Sequence, residues 1–542
     1  MSGAGRAERR LTTIQEAAAS VPDGALVTFG GFDLNRAPMA LAMELVRQGR
    51  RGLRLVGVPN PLAFDLLAGA GVSVDVEFGF IGFQFEGGFA IAPNLRRAIE
   101  AGSIAWKERD VYEIVQGLRA SALGLPYLPA PGVEGSDYAR VNQTPLARDG
   151  STGEEVPIAR PVSPDVALLH VQEADASGNL RIADLYADDL QALASRRVIA
   201  TAERIVERVE SPTIPRDRVD RVVELPGGAF PTSCHGRHPY GAGHLATYLA
   251  LGADGRFGEY LERYVKNPRD HAAFLAAAGG PGEIRRSAAA RPEPGVAAME
   301  PGRRAAIDRL VVGMARTLED GETVATGLAS ALPMLAVALA KATRAPRATY
   351  INCVGAVNPR LDRASFTSVD VRLLDACEGR VALPELFDRA RHGTIDVMFF
   401  GAAQIDREAK ANLTCLGDYA RPRVKLPGPA GSSSMRAFVR RVVFFVPRHS
   451  TRTLVPAVDF ASSIPSPRNR ETLVVSDRAL LRLEPGGLRL VSRHAETSIE
   501  DLRGATGFPL EGRLEAATPE PSREELSTLR GLDPDGIRYS LA

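Results

Sequence analysis

Only four cysteines and one tryptophan occur in the 542 residues. The cysteines, Cys234, Cys353, Cys377 and Cys415, are widely spaced and form no Cys-x-x-Cys pair. That spacing argues against a disulfide framework or a zinc ribbon, so a reducing cytoplasm is the expected compartment. No apolar run approaches the roughly 18 residues of a membrane span. The first residues, "MSGAGRAERRLTTIQEAAASV", lack the apolar centre of an export signal. Charge nearly cancels, at +1 with both signs mixed along the chain, which leaves no basic stripe for nucleic acid. Neither a Gly-x-Gly-x-x-Gly fingerprint nor a Walker A loop is present. The eight histidines show no H-x-x-x-H or H-E-x-x-H spacing, so no metal is expected.

What remains has the balance of an ordinary soluble enzyme: 45% apolar and 24% charged residues in a chain too long for one core. The segment "AGGPGEIRRSAAARPEPGVAAMEPGRRA" is rich in Pro, Gly, Ala and Arg without an apolar period, and it reads as a linker over residues 278–305. It separates a first domain, 1–277, from a second, 306–542. In both, continuous apolar runs such as "LRLVGV", "DVALLHV", "RRVIATA", "DVMFFGAA" and "RRVVFFV" alternate with helical stretches. Unbroken apolar strands of this kind predict an α/β fold with mostly parallel sheets covered on both faces.

The halves also resemble each other. "GALVTFGGFDLNRAPMALAMELV" is answered by "GETVATGLASALPMLAVALAKA", each a strand, a Gly-containing turn and a helix with Pro near its start. "VALLHVQEADASGNLRI" is answered by "VMFFGAAQIDREAKANLT", with Gln172 or Gln404, Asp175 or Asp406, and Asn179 or Asn412 in the same order. Shared order of this kind predicts two related domains, with a site at their junction.

Several strand ends carry residues suited to such a site. Gly30, Gly31 and Phe32 follow a strand, where glycines free backbone N–H groups to hold a carbonyl oxygen or a phosphate; a tight turn that simply needs glycine is the alternative. Gly401, Ala402, Ala403 and Gln404 close "DVMFFGAAQ", and small residues there admit a ligand close to the main chain. The loop "LPGPAGSSSM", with Gly428, Gly431 and Ser432, is long enough to wrap a pantetheine arm or a phosphate; a flexible surface loop is the alternative. Cys353 follows "ATYIN", between Asn352 and Gly355, at a strand's carboxyl end, where a reacting group would stand; a small buried core residue is the alternative. Cys234 has His235 and His238 close in sequence, which leaves a Cys/His nucleophile pair open.

The stretches "GGFDLNRAPMALAMELVRQG", "ALGLPYLPAPG", "HVQEADASGNLRI" and "VVELPGGAFPTSCHG" resemble the A-type half of the glutaconate CoA-transferase type of family I CoA-transferases. "TGLASALPMLAVALAKATRAP", "GAAQIDREAKANLTCLGDYARP" and "VDFASSI" resemble its B-type half. The resemblance runs in order along nearly the whole chain outside the linker. It implies two fused CoA-transferase-type domains, an acyl-CoA substrate, a site between the halves and a homodimer of fused chains. Coenzyme A enters only as part of the substrate, with no permanently bound cofactor.

One departure decides the chemistry that the resemblance implies. The nucleophilic glutamate of the transferases falls on Cys353. A carboxylate there attacks the thioester and then carries CoA as a thioester of its own. A thiol cannot do so. Two offshoots of the family lack that shuttle. Decarboxylases of glutaconyl-CoA-type substrates carry a cysteine at this position, and CoA-ester hydrolases that open a ring use a glutamate of the A-type half. Glu86, Glu108 and Glu113 are the candidates for that base, with solvated charge at a helix start the favoured reading of Glu108 and Glu113. Glu86 ranks first, because it sits among Phe83, Phe85 and Phe89, where a carboxylate needs a partner or a task. Phe80 and these three phenylalanines imply an apolar wall, or equally a packed core. Decarboxylation, a C–C lyase reaction, is the leading expectation. Hydrolysis, transfer by an atypical cysteine route and a non-catalytic acyl-CoA-binding role stay open.

Overall fold

The protein, described as a computed structural model over residues 10–279 and 299–542, contains two large sheets. Most of the span read as a linker lies outside the described residues, and the helix Pro301–Arg316 takes up its last residues. The first sheet contains β1 (Leu26–Phe29), β2 (Leu53–Val56), β3 (Ser73–Phe78), β4 (Ala105–Glu108), β5 (Val166–Val171), β6 (Arg197–Ala202) and β7 (Arg221–Glu224). Its spatial order is β7-β6-β5-β1-β2-β3-β4, and every pair is parallel. β5 is buried at every position, as a strand covered on both faces must be.

The second sheet contains β8 (Thr323–Thr326), β9 (Thr349–Ile351), β10 (Ala356–Val357), β11 (Gly379–Arg380), β12 (Val397–Phe400), β13 (Arg441–Val446), β14 (Glu471–Ser476), β15 (Ala479–Glu484) and β16 (Gly487–Arg493). Its order is β11-β10-β9-β8-β12-β13-β14-β15-β16. The five central strands β14-β13-β12-β8-β9 are parallel and repeat the order β7-β6-β5-β1-β2. The expected α/β fold with two related, mostly parallel sheets is what forms. The copies differ at their edges, where the second sheet adds antiparallel strands.

The repeated sequence features have a common structural reason. Asp175 accepts from the N–H groups of Ser177 and Asn179, and Asp406 accepts from those of Glu408 and Lys410. Each carboxylate thus closes a turn by pairing its backbone donors. In each sheet the strand order reverses beside its first strand, between β1 and β5 and again between β8 and β12. Crevices beyond the carboxyl ends of strands at such switch points are where ligands bind in open α/β sheets.

Polar contacts join the halves. Arg119 grips Asp388 with two N–H groups at 2.9 and 2.6 Å, and Asn35 Nδ2 donates to Val369 O at 2.9 Å. Lys425 and Glu108 pair with both side chains fully buried.

Within the first half, Arg36 fixes the turn after β1. Its guanidinium is buried and donates to Asp184 Oδ1 (2.8 Å), to both Asp188 carboxylate oxygens (3.0 and 2.7 Å), and to the carbonyls of His170 (2.6 Å) and Asp184 (3.0 Å). Arg36→Leu strands two buried carboxylates. It is expected to cost about 3–5 kcal/mol of unfolding free energy, read as a lowered urea midpoint.

Candidate active site

A cavity of about 380 Å³ opens where the crevices of the two sheets meet. β1 reaches it through Phe32 and β2 through Pro59; β8 supplies Thr326 and Gly327, and β12 supplies Gly401 and Ala402. Cys353, two residues beyond β9, lines it as well.

Cys353 is held by its neighbours. Asn352 is fully buried; its Oδ1 accepts from Val354 N at 2.7 Å and its Nδ2 donates to Ser368 O at 2.8 Å. Gly355 turns the chain at φ 83°, where a Cβ would run into the carbonyl of Val381. These two residues position the thiol without lining the cavity. Sγ lies 3.5 Å from the carbonyl of Ser368, and burial pushes its pKa up to about 12. The group is therefore a neutral thiol in the physiological range.

Sequence reasoning places Gly428, Gly431 and Ser432 at the cavity wall, together with Ala403, and the geometry brings them there. Their loop is not a free surface loop. Its backbone is tied to the first half by Ile81 N to Pro427 O (2.7 Å), Ala430 N to Gly79 O (2.8 Å) and Val111 N to Ala430 O (2.8 Å). Ser434 Oγ adds a bond to Asp110 at 2.6 Å. Gly428 passes so close to Gly79 O that a Cβ would collide with it, which accounts for glycine at φ 96°.

Other expected residues stand elsewhere, for physical reasons. Gly30 N donates to Leu168 O (2.8 Å), Gly31 N to Asp188 Oδ1 (2.8 Å) and Phe32 N to Asn35 O (2.8 Å). Of these three only the Phe32 side chain lines the cavity, and their N–H groups are already used. Gln404 is held by Asn412 and Asp459 and braces its turn.

The three glutamates also lie away from the cavity. Glu108 is fully buried and takes Lys425, Tyr138 and Thr414 as partners. Burial raises its pKa, and the Lys425 ammonium opposes the rise. Glu113 pairs with Arg109 at 2.8 Å. Glu86 accepts from Tyr240 OH at 2.7 Å and faces a second cavity of about 220 Å³. Of the phenylalanines around it, Phe80 and Phe89 line the first cavity, whereas Phe83 and Phe85 are buried in the core.

Residues missed in the sequence include Gln84, whose Oε1 accepts from Ala331 N at 3.2 Å, and the β8 turn from Thr326 to Ser330. The likeness of "TGLASALP" to "GGFDLNRAP" is the signal that points to that turn. Asp33, next to Phe32, is a further one. It is buried, its Oδ1 has no hydrogen-bond partner, and burial raises its pKa well above the ordinary carboxyl range.

Among the described residues, no aspartate, glutamate, lysine, arginine or histidine lines the cavity. Its walls are aliphatic, aromatic and small, with Gln84, Thr326, Ser330, Ser432 and Cys353 as the polar exceptions.

The sequence profile of the family described as Coenzyme A transferase matches residues 11–225 and 308–471, more than half of the chain. The chain belongs to the coenzyme A transferase family. It is similar to both polypeptides of one heteromeric enzyme, the 3-oxoadipate CoA-transferase of Pseudomonas knackmussii. One of the two is 30% identical over 49% of this chain and 97% of its own length, the other 27% identical over 42% of this chain and 92% of its own length. An uncharacterized protein of Archaeoglobus fulgidus is 32% identical over 51% of this chain, and the chain spans 63% of that protein's length. Among solved structures, an acyl-CoA transferase of Escherichia coli O157:H7, YdiF, covers 95% of this chain and 96% of its own at 15% identity and a TM-score of 0.67, a likeness of fold. A chain of a variant of the decarboxylase AibA/AibB is 45% identical over 47% of this chain and 97% of its own, with a TM-score of 0.46.

The raised pKa of Cys353 has a direct readout. At pH 8 its alkylation by iodoacetamide is expected to be about a thousandfold slower than that of an ordinary free thiol. Half-exposed Cys377 should be modified first. Peptide mapping over a time course measures both, and equal rates at 353 and 377 would contradict the neutral thiol.

Proposed function

We propose that the protein decarboxylates a 2-enoyl-CoA thioester of glutaconyl type, releasing carbon dioxide without passing CoA to an acceptor. The observation that carries this reading is the uncharged cavity with a neutral thiol where the transferases resembled by this chain carry a carboxylate.

Transfer needs a carboxylate nucleophile and hydrolysis needs a base to activate water. Decarboxylation needs neither. The substrate's own carboxylate loses hydration as it enters an apolar wall, and that loss is relieved as its charge spreads toward the thioester. The C–C electron pair flows through the double bond to the thioester oxygen, carbon dioxide leaves, and the dienolate carbon takes up one proton. Gln84, whose Oε1 is occupied by Ala331 N, has amide protons to offer that oxygen. The Cys353 Sγ–H is a dissociable proton at the wall and is refilled from water after turnover.

Incubation with glutaconyl-CoA, with and without acetate and in ¹⁸O-water, tests the reading by mass spectrometry. Loss of carbon dioxide independent of acetate is expected. Acetyl-CoA formation would mean transfer, ¹⁸O in a released acid would mean hydrolysis, and tight CoA binding without turnover would mean a binding protein.

Position 353 gives a second test. Cys353→Ser keeps a neutral proton donor and should retain turnover within about tenfold. Cys353→Glu sets a second negative charge about 4 Å from the substrate carboxylate, a repulsion of about 4 kcal/mol at an effective dielectric of 20, so KM should rise by up to about a thousandfold. Equal activity of the two variants would remove the neutral wall as the cause.

A further inference from the structure

Outside the acyl cavity, three segments distant in sequence bring a thiol, two imidazoles and a carboxylate together at the carboxyl end of the first sheet. His170 is the last residue but one of β5. Its partner across the parallel ladder is Thr201 of β6, and Glu203 comes just after that strand. The third segment is a tight turn from Cys234 to His238. Cys234 N donates to His238 O at 2.8 Å and His238 N donates to Cys234 O at 3.0 Å. The two residues form an antiparallel bridge, which places both side chains on one face. Gly236, at φ 71°, allows so short a turn.

One ligand atom each of His170, Glu203 and Cys234 lies within 4.8 Å of the other two. His238 Nε2 stands 3.7 Å from Glu203 Oε1. Its side chain is only 5% exposed, and Nε2 has no hydrogen-bond partner. An imidazole nitrogen buried without a hydrogen-bond partner is destabilising, and a ligand at this point satisfies it. His170 is oriented from behind, since its Nδ1 lies 2.8 Å from Thr201 Oγ1, which in turn reaches Leu169 O at 3.4 Å. His170 Nε2 lies 2.9 Å from Glu203 Oε1, so the N–H there donates to the carboxylate; a metal would take the Nε2 lone pair as that proton moves to Nδ1, where Thr201 Oγ1 accepts it.

We propose that Cys234 Sγ, His170 Nε2, His238 Nε2 and the Glu203 carboxylate bind a zinc ion. Thiolate and imidazole donors select zinc over magnesium or calcium, and four protein ligands make a closed, structural site. Binding displaces the Cys234 thiol proton to solvent. The dication with one thiolate and one carboxylate is then neutral, which suits the burial of the ligands. Cys234 and His238 also line the second cavity, of about 220 Å³, which gives the ion a way in. The bound ion fixes the 234–238 turn, whose His235 reaches Asp375 of the second half at 3.0 Å.

The full chain, equilibrated with zinc and dialysed, is expected to keep about one zinc per chain by elemental analysis. Cobalt in its place should give a thiolate-to-cobalt charge-transfer band that Cys234→Ser removes. His238→Ala should weaken zinc about a hundredfold or more by competition with a chromophoric chelator. Wild-type protein that retains less than about a tenth of an equivalent, or a cobalt form without a thiolate band, overturns the proposal. So does loss of the ion from Cys377→Ser as complete as from Cys234→Ser. The wild-type cobalt spectrum decides the matter even where a substituted chain fails to fold.

Discussion

The ion pair of Glu108 and Lys425 is the contact on which the cavity depends. Neither side chain reaches solvent, and they come from opposite halves. Lys425 Nζ also donates to the carbonyls of Thr414 (2.9 Å) and Leu426 (2.8 Å), so one ammonium holds the start of the 426–435 loop while it anchors to the first half. Its charge lies 5.5 and 5.3 Å from the rings of Phe78 and Trp106. A buried pair of this kind adds little net stability over an apolar replacement, since desolvation offsets attraction. Its value here is registry. A lysine in the loop must find one carboxylate in the other half, and Gly428 is thereby laid against Gly79.

The charges needed to order the site are thus kept behind its walls. Glu108 with Lys425, Glu113 with Arg109, and Arg36 with Asp184 and Asp188 are each paired out of contact with the cavity. The unpartnered carboxyl oxygen of Asp33 belongs to a group that burial favours in its neutral form. Under the proposed decarboxylation, an ionised side chain at the wall would either attract the substrate carboxylate and hold it there or repel it from the site. A neutral wall does neither, and the destabilisation of a desolvated carboxylate is then available to the bond that breaks.

Much of this was legible in the sequence wherever the signal is local. Continuous apolar runs gave the parallel strands, and the residue after a strand is fixed by where the strand stops. Spacing alone therefore puts Cys353, Phe32, Gly401 and Ala402 at strand ends, and they line the cavity. The role of a charged residue was not legible, because its partner is remote: Lys425 lies in the other half from Glu108, and Asp188 is far along the chain from Gly31. Glu86 illustrates the limit. Its phenylalanine neighbours in sequence raised its rank as a base, yet Tyr240 satisfies it at a different cavity. Backbone donors are ambiguous in sequence for the same reason. The N–H groups of Gly30 and Gly31 are conformationally free to bind a ligand in sequence terms, but Leu168 and the Asp188 carboxylate use them.

Repetition of one topology explains why the two halves have come to differ at equivalent places. Each sheet offers a switch point beyond its first strand, and a single acyl group fills only one volume. In the second half the ends of β8, β9 and β12 remain small or neutral and line the cavity. In the first half the equivalent ends of β1 and β5 are filled, by Arg36 inside its carboxylates and by His170 against Thr201. That crevice is braced, because Arg36 and His170 are each bound to particular partners there. The first half therefore acts as the fixed surface against which the loop after Lys425 is set. Fusing the halves in one chain keeps that surface at high effective concentration beside the thiol.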